Sequence, residues 1–236
     1  MLSTVGSRYE PVSLETLKKV KVKRLPGAKN WAGVPHSEVV DTAVGVLEGL
    51  GLTPKTTWWL GPKKTLLFGA LDLPLEVKFG QPVTVSLALR QGNGGEYALS
   101  FMIGVRVECC GNGVWYSEPT GPHRRHVLGF KLEAHVRTCV EACLDSVPAM
   151  TEYFESMSGS WMTGDEACRF MFSAFERKAL GFRYLEDVWQ FYKAPTHEEF
   201  LPESPWRLLN AFSEVAKRKF SPQAQILMWK AMESLT

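Results

Sequence analysis

The residues best suited to chemistry crowd into one stretch. Cys109, Cys110, His123, His126 and His135 place five zinc-type ligands within 27 positions, from 109 to 135. Zinc sites usually present short paired spacings such as Cys-x-x-Cys. Here His123-x-x-His126 is the one such pair, and adjacent cysteines chelate poorly. His135, Cys139 and Cys143 recur every fourth residue, the spacing of a buried helical stripe. No metal or other cofactor is therefore assigned, and a metal-dependent enzyme built on this His/Cys segment stands as an alternative. Nucleophilic catalysis needs a nucleophile with a base in reach. The chain has no Gly-x-Ser-x-Gly elbow, and GPKKT at 61–65 lacks the glycine spacing of a phosphate loop. No catalytic residue is assigned.

Cations and aromatics give a second pattern. Nucleic-acid binding needs cations that meet phosphates and flat rings on which bases stack. Lys63, Lys64, Arg90, Arg106, Arg124 and Arg125 are the candidates, with Trp58, Trp59, Trp115 and Tyr116 near them in sequence. His123, Arg124, Arg125 and His126 follow a Gly121-Pro122 turn, which places the cluster on the surface. Such a cluster suits an anion, held more tightly as pH falls through about 6.5. Ion pairing is the competing account: Arg124 or Arg125 with Glu118 or Glu133, and Arg106 with Glu108 or another carboxylate. Net charge is only +2. Residues 1–130 hold 15 of the 27 basic and 10 of the 25 acidic side chains, leaving the remainder acidic. A basic front half fits a polyanion, although many proteins show as mild an asymmetry.

These residues need elements to hold them. Residues 1–32 read as a basic N-terminal arm in which LKKVKVKR could form an edge strand. Residues 33–130 read as a helix plus an antiparallel sheet. The helix carries Val39, Val40, Ala43, Val46, Leu47 and Leu50 at helical spacing, with Ser37 as N-cap and Gly51 as stop. Strands follow at TTWWL, TLLFGALDL, 83–90 and 97–107. Val83, Val85, Leu87 and Leu89 share one face with Tyr97, Leu99, Phe101, Ile103, Val105 and Val107. The opposite face is mostly small, with Arg90 and Arg106 on it. It is open either to a flat ligand or to a closely packed helix.

Residues 131–236 read as helices packed on the sheet within the same domain. Thr163 and Glu166 form a capping box, Gly181 stops that helix, and Ser204-Pro205 and Ser221-Pro222 begin the last two. The fold class is α+β. No apolar run approaches the ~18 residues of a membrane span. The first residues lack a signal peptide's pattern, and five unpaired-looking cysteines fit a reduced, cytoplasmic setting.

In order along the chain stand VPHSEVVDTAVGVLEGLGL, TLLFGALDL, GVRVECCGNGVWYSE, HRRHV, HEEF and WRLLNAFSEV. This order resembles the prokaryotic and viral family catalogued as domain of unknown function 932, the phage/plasmid-like proteins. Its central motif reads G-x-R-V-x-x-C-x-N and a basic-His pair. Gly104, Arg106, Val107, Cys110 and Asn112 match the motif, and Arg125 and His126 match the pair. Its end reads W-x-L-x-N-A-x-T-E, matched by Trp206, Leu208, Asn210, Ala211 and Glu214, with Ser213 in place of Thr. The likeness spans roughly residues 33 to 220. It departs at RQGNGGE, where members often carry an Asn-Ser-His-Asp-like segment. The resemblance implies a phage or mobile-element context and no particular reaction.

The leading expectation is a non-catalytic single-stranded nucleic-acid-binding protein, such as a strand-annealing recombination factor. It would act as a homo-oligomer in the host cytoplasm, with no membrane partner. Its binding residues would be Lys63, Lys64, Arg90, Arg106, His123, Arg124, Arg125 and His126. Asn112, Trp206 and Asn210 would be structural, with Asn210 locking the C-terminal helix to the sheet. The alternative is a protein-interaction or structural factor.

Overall fold

Alternating residues divide the sheet into two unlike faces, and every layer of the molecule follows from that division. A computed structural model describes residues 9–22, 31, 33–61, 63–79, 81–94, 98–116, 129–220, 225 and 228–229. The sheet has six antiparallel strands in sequence order: β1 (Glu10–Val12), β2 (Lys55–Leu60), β3 (Leu66–Phe79), β4 (Gln81–Gly92), β5 (Ser100–Val107) and β6 (Gly113–Trp115). Val85 lies opposite Val105, Leu87 opposite Ile103 and Leu89 opposite Phe101. All six are fully buried. Between them Ser86 faces Gly104 and Ala88 faces Met102, as the alternation requires. Trp58 and Trp59 point to opposite faces, and Trp58 lies directly over Gly69.

The bulky face meets the helices. They are α1 (Leu14–Lys18), α2 (His36–Gly49), α3 (Leu132–Asp145), α4 (Val147–Gly159), α5 (Gly164–Glu176), α6 (Leu185–Lys193) and α7 (Pro205–Lys219). Helix α3 packs on β5, α4 on β3, and α2 beside α3. Burying this apolar stripe is the main stabilising term, as in any layered fold. The α+β class is as expected. So are the Thr163/Glu166 capping box and the Ser204 cap, whose hydroxyl accepts from the Arg207 amide. Cys139 and Cys143 are buried on the α3 stripe.

Several local expectations are corrected. LKKVKVKR does not open as a strand. Ser13 caps α1, and Leu17 is fully buried, so residues 9–22 belong to the fold rather than to a loose arm. The α2 N-cap is Pro35, not Ser37. β3 runs on to Phe79 past Pro74, with a register break between Asp72 and Glu76; a proline cannot donate to the ladder, and a bulge accommodates it. Helix α5 ends at Glu176, where Lys178 adopts φ 60°, and Gly181 instead starts the 3₁₀ turn Phe182–Tyr184. The Ser221-Pro222 helix start lies outside the described residues.

His36 ties α2 to the β2–β3 turn. Its Nδ1 lies 2.8 Å from Gln91 Oε1 and its Nε2 3.1 Å from the Lys64 carbonyl. Burial lowers the imidazole below its ordinary range, against these two bonds, which favour the charged ring. The unfolded chain therefore takes up the proton first as pH falls, and this contribution to stability is full only above about pH 6.5. The melting temperature should decline as pH drops from about 7.5 through the histidine range. His36→Gln should be less stable at pH 7.5 and show a shallower decline. A decline equally steep in the variant would assign it to other groups.

Candidate functional site

A cleft opens on the sheet's second face. Trp59, Phe68, Ala70, Ala88, Met102 and Tyr9 form a smaller apolar cluster there, so most of this face is filled rather than bare. The cleft remains toward β5 and β6, where Ser86, Gly111 and Gly113 contribute little bulk. Trp59 and Phe68 line one side and Trp115 the other. Neither proposed cover, a flat ligand or a packed helix, describes the whole face; its own aromatics cover much of it.

Trp115 owes its position to glycine. Gly104 lies opposite it in the ladder. A Cβ on Gly104 would stand 2.7 Å from Trp115 Cε3 and 2.2 Å from the Val114 carbonyl oxygen. The indole therefore occupies space that a side chain at Gly104 would need, and it also passes close to Gly113.

Two cations border the cleft, each held by a carboxylate. Arg106 Nε is 3.2 Å from Asp72 Oδ1, and the same oxygen accepts from Ser86 Oγ at 2.8 Å. Asp72, rather than Glu108, is thus the partner of Arg106; Glu108 accepts from Thr84. Lys217, near the end of α7, bonds Glu214 at 2.8 Å and donates to the Cys110 carbonyl at 3.0 Å. Burial would raise the Glu214 carboxyl, but bonds from Lys217 and Arg218 outweigh it and hold the group below its usual range. A third of the Arg106 side chain stays exposed (34%).

The expected cation set is split. Lys63 and Lys64 are exposed on the β2–β3 turn. Arg90 is half-buried and pairs with Phe68 and Ser100 in the ladder. Arg106 is opposite Thr84, six residues from Arg90 along β4, or about 20 Å at ~3.3 Å per residue. Arg90 and Arg106 share a face but not one site. His123, Arg124, Arg125 and His126 lie outside the described residues. Lys217 had a weak signal in sequence, the Lys217-Arg218-Lys219 run of a helix's last turn.

Asn112, Trp206 and Asn210, the residues expected to be structural, are all buried. Asn210 and Trp206 are buried at 3% exposure each. Asn210 Nδ2 donates to the Trp206 carbonyl within its own helix, so its amide does not itself lock α7 to the sheet. That work falls to neighbours. Ser213 Oγ donates to the Gly113 carbonyl at 2.8 Å, and Asn112 Nδ2 reaches the Asn210 carbonyl at 3.5 Å.

Among the described residues of the His/Cys segment, His135 stands apart from Cys109 and Cys110. His135 Nε2 is 3.2 Å from the Leu99 carbonyl, just before β5, whereas Cys109 and Cys110 follow that strand. Eight residues of strand put them about 25 Å apart. Cys109 lies instead near His197 and Glu199. Desolvation of its sulfur, with Cys110 and Glu199 nearby, pushes the thiol up to about 12. Burial pushes Cys139 up to about 11. Neither thiol is an activated nucleophile, since the reactive form is the thiolate.

Comparison with protein families, curated proteins and solved structures finds no match to this chain. No helix among the described residues is long and apolar enough to cross a membrane.

Proposed function

We propose that this protein binds single-stranded nucleic acid, with the cleft between Trp59 and Trp115 receiving a base and Arg106 and Lys217 meeting the adjoining phosphates. The observation that carries this reading is an indole packed against two glycines at the edge of a cleft that two cations also line. Stacking on an aromatic face is tolerant of sequence and contributes about 1–3 kcal/mol per base. Lys63, Lys64 and Arg90, at the far end of the sheet, extend the same reading along a strand's path. His123, Arg124, Arg125 and His126 remain candidates for further phosphate contacts. The motif order adds a phage or mobile-element setting to the proposal, and strand annealing by a homo-oligomer is the specific form of binding it would take there.

A fluorescence-polarisation titration with a labelled oligonucleotide at low salt tests it. Binding should quench tryptophan emission, and Trp115→Ala should weaken affinity about fivefold to a hundredfold. Arg106→Gln should reduce the salt slope by roughly one unit. Absence of binding at low salt would end this reading.

One feature favours the protein-interaction alternative. Phe172 and Phe182 are exposed at 55% and 73%, and Phe175 touches both rings. A contiguous apolar patch of this kind is unusual on a surface with no partner. A discrete oligomer by light scattering, with no oligonucleotide affinity, would support that alternative over the first.

A further inference from the structure

Three side chains of different chemistry converge beside the β5–β6 turn. Cys109 comes from the turn itself. His197 and Glu199 come from the segment joining α6 to α7, with Glu199 in the 3₁₀ turn Glu198–Phe200. One atom of each, a thiol sulfur, an imidazole nitrogen and a carboxylate oxygen, lies within 4.8 Å of the other two. The geometry points to a binding site for one divalent, zinc-class cation at Cys109, His197 and Glu199, with the fourth position left to water.

The donor set selects the class of ion. Calcium and magnesium take oxygen ligands, whereas sulfur with imidazole suits zinc and its borderline neighbours. Bond lengths of about 2.0–2.3 Å in a tetrahedron put ligand atoms roughly 3.3–3.8 Å apart. Small rotations of three side chains close the present spacing to that value. Cys109 and Glu199 are exposed and His197 half-exposed, so an ion has a path in and a water has room. On binding, the Cys109 thiol gives up its proton to solvent and the sulfur takes its place on the metal.

Both supports are firm. On one side Gly111, at φ +68°, closes the turn by donating to the Val107 carbonyl at 2.7 Å, and Lys217 fastens the Cys110 carbonyl. On the other side Phe200 is buried, and its ring meets the His197 ring edge-on at 6.0 Å. Ligands held by such outer contacts lose less freedom when they bind. Cys110 is not a fourth ligand: its sulfur accepts the Asn112 amide at 3.4 Å and is partly buried. The ion would cross-link the β5–β6 turn to the α6–α7 link. The proposal holds whether or not an oligonucleotide binds.

Cobalt and zinc ions alone, added to the full chain under reducing conditions, are the probes. Wild-type protein should take up about one zinc per chain, as a single three-ligand site with an open fourth position requires. Cobalt should give a thiolate-to-metal charge-transfer band. Cys109→Ser should abolish that band while Cys110→Ser keeps it. His197→Ala and Glu199→Gln should each weaken zinc binding by at least about tenfold, since loss of even a residue that only supports a ligand costs that much. Zinc should raise the melting temperature of wild type and leave Cys109→Ser unmoved. Because Glu199 is exposed, Glu199→Gln should melt like wild type without metal, so its weakened binding cannot come from misfolding. No sulfur–cobalt band in wild type, a band lost in Cys110→Ser but kept in Cys109→Ser, or calcium competing as well as zinc would each overturn the assignment.

Discussion

Arg207→Leu should lower the unfolding free energy by about 3–5 kcal/mol, as much as emptying a core aromatic site. The last carbonyls of a helix have no partner within it. At the end of α6 those of Tyr192 and Lys193 are met by the Arg207 side chain. Its Nε donates to Tyr192 at 2.6 Å and its Nη2 to Lys193 at 3.1 Å, while Nη1 donates to the Leu201 carbonyl at 2.6 Å. The guanidinium also sits 4.9 Å from the Tyr192 ring centroid. Leucine would fill the space yet leave three carbonyls unsatisfied, each costing about 1–3 kcal/mol, partly offset because no charge is then buried. Arg207→Lys should recover less than half of the loss, since one ammonium cannot span three carbonyls set in a fork. Urea unfolding with an unchanged m-value measures it. A loss below about 1 kcal/mol would show that water or rearrangement replaces the guanidinium.

Gly104→Ala should cost about 2–4 kcal/mol and release β6. The added methyl would meet the Val114 carbonyl oxygen at 2.2 Å and Trp115 Cα at 2.9 Å. Both belong to backbone already paired with β5, so relief requires the strands to part. Trp115 should then move into water, with a red shift in emission, and oligonucleotide affinity should fall although no charge has changed. Gly45→Ala is the control. It lies within α2 with no atom within 4 Å of the added carbon, and should gain about 0.5–1 kcal/mol. Equal behaviour of the two variants would rule out the steric account.

The sheet register was legible because its two faces differ so much. Leu87 and Ile103 can face only the core, and Ser86 and Gly104 then fall together on the other side. The Thr163/Glu166 box and the Ser204-Pro205 start were legible because capping is local chemistry. Helix α4 was not read, since Ser146 and Pro148 look like a break between helices rather than the opening of a new one. The sequence points to Gly181 as the end of α5 because glycine is the expected left-handed residue, whereas Lys178 takes that conformation. The cleft was half visible: small residues and Arg106 could be put on one face, but its pairing with Asp72 depends on the β3–β4 register. His197 and Glu199 stood in view as part of HEEF, yet only the tertiary fold carries them to Cys109. No periodicity encodes a meeting of two loops.

The strictly sequential strand order has a consequence for biosynthesis. Each strand pairs with the one just made, so all six, residues 10–115, can assemble before any of α3 to α7 has left the ribosome. At ~5–20 residues per second, the chain through α7 needs roughly another 5–20 s. During that interval α2 is the one long helix available among the described residues, and the row from Val83 to Val107 has little else there to bury it. A nascent chain that folds in this order passes through a stage with a finished ladder and an uncovered apolar face, the condition under which chaperones matter most. The short edges help at that stage: β1 and β6 have three residues each, leaving little length for a second nascent chain to join.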